Sequence, residues 1–130
     1  MAKRKGKKRP PKQEGEVYIL KIWIGTKVYL KVGHTKRTAR CRLVEIGTEL
    51  LGQLGYFPKM SIVVNKVVLH PEQVEANILE RTREYRPMEL GFEFNGVSEL
   101  RDMCVDQLML RYNECIVTDY VIKPPELVQM

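Results

Sequence analysis
The sequence is poor in the residues that build disulfide frameworks and structural metal sites: it has three cysteines, Cys41, Cys104 and Cys115, odd in number and widely spaced, and two histidines. No Cys-x-x-Cys pair occurs, so neither a disulfide scaffold nor a structural zinc site is expected. Apolar runs near the roughly 20 residues that cross a bilayer are also missing, and no hydrophobic signal segment follows the basic start. No internal repeat is visible. At 130 residues and 44% hydrophobic, the chain can build one core but not two. These absences predict a protein away from membranes, in the cytoplasm of a bacterial or phage-infected cell, or in the nucleus of a eukaryotic one.

Acid is missing in two places. Residues 1–12 hold Lys3, Arg4, Lys5, Lys7, Lys8, Arg9 and Lys12, seven of the 22 basic residues, and no Asp or Glu. The rest of the chain has 15 basic against 16 acidic residues, so the net charge of +6 is carried by one arm and the body is close to neutral. The second acid-free stretch, residues 31–42, contains Lys31, His34, Lys36, Arg37, Arg40 and Arg42. Basicity confined to an arm and a loop is the distribution of a nucleic-acid binder. Residues 1–15 lack apolar periodicity and include Pro10-Pro11, which predicts a disordered basic arm. Such an arm would neutralise phosphates and steepen salt dependence, a solubility tail or import signal being the plainer alternative. The folded domain is expected over 16–122, with a tail over 123–130.

Residues 17–24 set Tyr18, Leu20, Ile22 and Ile24 on one face and Val17, Ile19 and Trp23 on the other, the pattern of a strand covered on both sides. Gly25-Thr26 reads as a two-residue turn, and 27–32 return as a second strand. Thr38 is placed to cap a helix through Leu43 and Ile46 that ends near Gly47, with a second short helix over 48–54. Residues 60–69, rich in Val and Ile, predict a third strand. Pro71 and Glu72 suit a helix start, and 72–85 carry Val74, Ile78, Leu79 and Tyr85 as a buried stripe, with Pro87 ending the helix. Glu75 falls at the edge of that stripe, where a carboxylate must find a cation, either an arginine such as Arg42 or a metal ion. Phe92 and Phe94 are expected to tuck in from a loop. A last amphipathic helix is predicted over 98–112, on Leu100, Met103, Cys104, Gln107, Leu108 and Arg111, followed by an extra strand over 116–122.

Residues 16–42 resemble the signature hairpin of the GIY-YIG nuclease superfamily. The first triplet reads Glu16-Val17-Tyr18 and the second Lys31-Val32-Gly33, followed by an arginine early in the next helix and later by a helix carrying Val74-Glu75. Glu16 stands where the family has its first glycine, and Lys31 where the second triplet has tyrosine. A phage-type branch reads Lys-Ile-Gly there, so the resemblance is to that branch and covers about residues 16–99. It implies an α+β fold, a small three-stranded antiparallel sheet flanked by helices with a C-terminal extension.

The resemblance further implies a metal-dependent DNA endonuclease with Tyr18, Lys31, His34, Arg42 and Glu75 as candidate catalytic residues. Glu75 would hold one Mg²⁺ (or Mn²⁺), an ion content with few carboxylates and several waters. Tyr18 would act as base or relay beside the attacking water, and cations such as Lys31 and Arg42 would favour its phenolate. Arg42, in an Arg-Leu pair, would grip the phosphate oxygens, with Arg40 as the substitute. His34 would contact phosphate or orient water, and Gly33 would let the backbone approach the substrate. Lys36, Arg37 and Arg40, with the arm, would bind nucleic acid. With no recognition domain appended to the core module, cutting of little specificity is expected. The competing readings are a nuclease-like scaffold that binds nucleic acid without cutting it, and a ribosome-associated or RNA-binding protein.

Overall fold
The computed structural model of the protein describes residues 14–88, 90–92 and 96–120, with side chains described as far as 116. The basic arm over 1–12, Phe94 and the tail over 123–130 lie outside the described residues. β1 (Gly15–Ile24) takes in Gly15, which the sequence pattern places in the arm. The turn at Gly25-Thr26, with Gly25 at φ +63°, returns the chain as β2 (Lys27–Thr35), in register from Glu16 opposite Thr35 to Ile24 opposite Lys27. β3 (Lys59–Val68) lies antiparallel along the other side of β1, with a register shift between Ile19 and Leu20. A fourth strand, β4 (Leu100–Arg101), pairs with Leu30 and Lys31, so the sheet runs β3-β1-β2-β4. The expected three strands are therefore four, because a two-residue strand leaves no alternation to read.

β1 is covered on both faces, as its pattern predicts. Val17 and Ile19 join Leu30 and Val32 of β2 in one core, under the helices of the second half of the chain. Tyr18, Leu20 and Ile22 join Tyr29 in the other, under the first helix.

That first helix, α1 (Ala39–Leu54), is one helix rather than the two expected. Ala39, Leu43, Ile46, Leu50 and Leu54 form an unbroken stripe at helical spacing, and all five pack in the second core. Gly47 lies inside the helix because the Phe57 ring covers it, so that a side chain there would collide with the ring. The stop is Gly55, at φ +88°, whose N–H donates to the Leu51 carbonyl at 2.9 Å.

α2 (Pro71–Arg81) starts on the proline as expected and buries Val74, Glu75 and Ile78. It ends before the predicted position, since the Thr82 hydroxyl donates to the Ile78 carbonyl and the chain tightens into the 3₁₀ turn Arg83–Tyr85. α3 (Val105–Tyr120) starts later than the predicted last helix and takes in residues 116–120 of the segment expected to be a strand, the rest of which lies outside the described residues. Its buried stripe is Leu108, Tyr112, Cys115 and Ile116, while Leu100 belongs to β4. Phe92 is buried against Tyr29. Among the described residues no helix is long and apolar enough to cross a membrane.

Two polar fastenings hold these layers. Arg101, 2% exposed, donates to the Thr82 hydroxyl at 2.9 Å and to the carbonyls of Leu79, Leu100 and Ser98 at 3.1, 2.7 and 3.0 Å, closing the C-terminal end of α2. Burial, then the nearby Arg86 charge, lowers its pKa to about 10. Tyr112 donates its hydroxyl to the Val17 carbonyl at 2.6 Å, and burial pushes its pKa up. Tyr112→Phe would leave a buried carbonyl without that partner. The expected loss of stability is about 1–3 kcal/mol, read by urea unfolding; an unchanged midpoint would show that α3 is held by packing alone.

Candidate active site
Five residues singled out in the sequence, Tyr18, Lys31, His34, Arg42 and Glu75, line one cavity of about 280 Å³, together with Gly96 and Glu99. Tyr18 lies directly opposite Gly33 across the hairpin. Its ring occupies the space that a side chain at 33 would fill. Gly33 thus makes room for the tyrosine ring.

Lys31 is open in the sequence to reading as an outward strand lysine, yet it is 1% exposed. It shares the face of Tyr18, with its Nζ 5.6 Å from the Tyr18 ring centroid and donating to Glu99 Oε1 at 2.6 Å.

Arg42 owes its place to the way α1 begins. Thr38 Oγ1 accepts from the Cys41 N–H at 3.2 Å, and Glu16 Oε1 accepts from the Ala39 N–H at 2.8 Å and from Asn65 Nδ2 at 3.1 Å. Glu16 thus fastens the first turn of α1 to the sheet beside Tyr18. Burial lowers the Arg42 pKa, but hydrogen bonds to Glu45 and to the Tyr18 hydroxyl outweigh it, and the net shift is upward. Arg37 and Arg42 both pair with Glu45. Arg40 is exposed and lies outside the cavity, as its displacement around the helix from Arg42 requires. Lys36 is exposed beside a separate cavity of about 370 Å³, with His70 and the first turn of α2.

Glu75, 6% exposed, meets His34 Nδ1, a partner outside the two alternatives the sequence offers, an arginine such as Arg42 or a metal ion. Burial, then the charge and hydrogen bond of Glu99, pushes its pKa up to about 8, against the opposing pull of Lys31.

α2 packs on the Val17 and Ile19 face, whereas Tyr18 projects from the other. They share a cavity because β4 pairs only with Leu30 and Lys31, which leaves residues 32–35 of β2 without a β4 partner. Glu75 and His34 reach this edge from one face, Tyr18 and Lys31 from the other. Glu99 is the residue that sequence reasoning missed, because its spacing puts it at the head of a helix instead of in the 3₁₀ turn Val97–Glu99. The available signal is Lys31 itself, a lysine in an otherwise apolar strand interior that needs an acid from elsewhere.

Among the described residues no group of three or more His, Cys, Asp or Glu side chains is arranged to hold a metal ion. Glu75, with Glu99 lining the same cavity, is a small carboxylate set of the kind that suits an ion taking few protein ligands and completing its shell with water and substrate oxygens, as Mg²⁺ does.

Because the Glu75 pKa is higher in the folded than in the unfolded chain, its contribution to stability is complete below the ordinary carboxylate range and is lost as pH rises to about 8. Thermal unfolding of the wild type should shift downward over that window. Glu75→Gln should remove this part of the slope and be the more stable protein above the window. Parallel pH profiles for the two would contradict the assignment.

The chain matches no family model, no curated protein and no solved structure in comparisons with known proteins.

Proposed function
We propose that the protein is a Mg²⁺- or Mn²⁺-dependent endonuclease that hydrolyses DNA phosphodiester bonds, along the lines of the phage-type GIY-YIG branch that its hairpin resembles. The observation that carries the reading is the convergence of Tyr18, Lys31, His34, Arg42 and Glu75 on one cavity from two strands and two helices. Core packing alone does not call for this set of groups.

Phosphodiester hydrolysis needs an activated water, neutralised phosphoryl oxygens and a stabilised leaving oxygen. In the proposed site the Tyr18 hydroxyl relays the proton of the attacking water, taking it up as its own O–H proton passes to solvent in the cavity. The Lys31 and Arg42 charges beside it favour that transfer. The Arg42 fork binds the non-bridging phosphate oxygens. His34, hydrogen-bonded to Glu75, would orient the water. A divalent ion held by Glu75 would supply positive charge at the phosphoryl and leaving oxygens.

A protein that only binds nucleic acid needs cations at its surface. It has no use for a carboxyl that is 6% exposed and lines a cavity with a second acid, Glu99. The acid-free arm and Arg40 would add phosphate contacts around the cavity.

Supercoiled plasmid should be nicked in the presence of Mg²⁺ and left intact with EDTA, and Glu75→Ala should lower the rate by roughly 100-fold or more while DNA binding persists. Absence of cleavage by the wild type across several metals and substrates would favour the binding-only role. Deleting residues 1–12 should flatten the plot of log affinity against log salt by about 0.9 for each phosphate the arm neutralises. An unchanged slope would take the arm off the nucleic acid.

A further inference from the structure
The segment from Gly96 to Arg101 is built around the Lys31 ammonium. Gly96 adopts φ +106°, and a Cβ there would sit 3.0 Å from Lys31 Cε and 3.3 Å from its Nζ. Glu99 Oε1 accepts from Lys31 Nζ at 2.6 Å. Leu100 is the strand partner of Lys31 in β4. Arg101 then pins the segment to the end of α2, the helix that bears Glu75. Three neighbouring features of this segment therefore serve one buried cation, and a fourth ties it to the other side of the cavity.

A buried ion pair is a weak way to gain stability, because apolar residues of similar volume usually do as well or better. At position 31, opposite Leu20 in a strand interior, leucine or methionine would fill the slot without a partner. The ammonium's other near neighbour is the face of the Tyr18 ring, at 5.6 Å from its centroid.

We infer that Glu99 is a positioning residue of the catalytic cavity: its carboxylate holds the Lys31 charge against the Tyr18 ring, so that the proton-accepting end of the site is assembled only when the Gly96–Arg101 turn is docked. This role deepens the endonuclease reading and rests on it. Glu99 acts through Lys31 and does not itself touch the substrate. The partial exposure of Glu99 at the cavity wall, beside Glu75, makes the same turn a shared border between the Tyr18 and Glu75 ends of the site.

The test uses the full chain and two readouts. In NMR spectra of the lysine side-chain ammonium groups, the wild type should show slowly exchanging Lys31 protons close to the Tyr18 ring. Glu99→Gln should abolish both signatures, and Glu99→Asp should restore part of the signal; the aspartate variant carries the test alone if the glutamine variant fails to fold. In plasmid nicking well below the unfolding temperature, Glu99→Gln should lower kcat about 100-fold while KM for DNA stays within about 3-fold. Lys31→Met and the double variant Lys31→Met/Glu99→Gln should fall to the same kcat, because both lack the ammonium through which Glu99 acts. Persistence of the Lys31–Tyr18 proximity in Glu99→Gln, a kcat within about 2-fold of wild type, or additive losses in the double variant would each overturn the positioning role. A wild type that nicks nothing overturns the endonuclease reading, and the ammonium spectrum then still decides whether Glu99 holds Lys31.

Discussion
An ammonium taken out of water must be matched by negative charge within a few ångströms, and Lys31 meets that demand with Glu99 at 2.6 Å. Much of the molecule's open end follows from this pair. The acid must arrive from a segment 68 residues away, so the chain has to return to the outer side of β2 after three further elements. The return segment pairs with β2 for two residues only, which is enough to seat Glu99 and too little to cover residues 32–35. The gap left there is where groups from the two faces of the sheet meet.

The same demand acts on Glu75. Burial pushes its pKa up and the nearby Glu99 adds to the shift, against the pull of Lys31. One acid therefore serves two neighbours in opposite senses: it stabilises the charge on Lys31 and opposes the charge on Glu75.

How much of this is legible in the sequence depends on the range of the interaction. The hairpin is readable because alternation over Val17 to Ile24 and the Gly25 turn are local signals, and the start of α2 because Pro71 and Glu72 are. Glu75 is readable as a carboxyl at the edge of an apolar stripe. The unity of α1 is hidden by Gly47, whose meaning depends on Phe57, a residue beyond the end of the helix. The division between β4 and α3 is hidden because Leu100 has helical spacing to Met103 and Cys104 yet belongs to the sheet. Glu99 and the His34 contact of Glu75 cannot be read at all, since each depends on which distant segment reaches the β2 edge. Gly33 stands out for its position, but its purpose is clear only from the Tyr18 ring lying against it.

The hairpin has a quieter end as well. Gly25-Thr26 is exposed, and six residues of extended strand lie between it and Tyr18, a span of about 23 Å at the usual strand rise. Its main polar tie is the Gly25 N–H donating to the Tyr56 hydroxyl at 3.2 Å, far from every cavity-lining side chain in the hairpin. The tip is thus a natural insertion point, where a fluorophore, an affinity handle or a grafted DNA-recognition module could be carried on a rigid stem while the opposite end of the sheet keeps its arrangement.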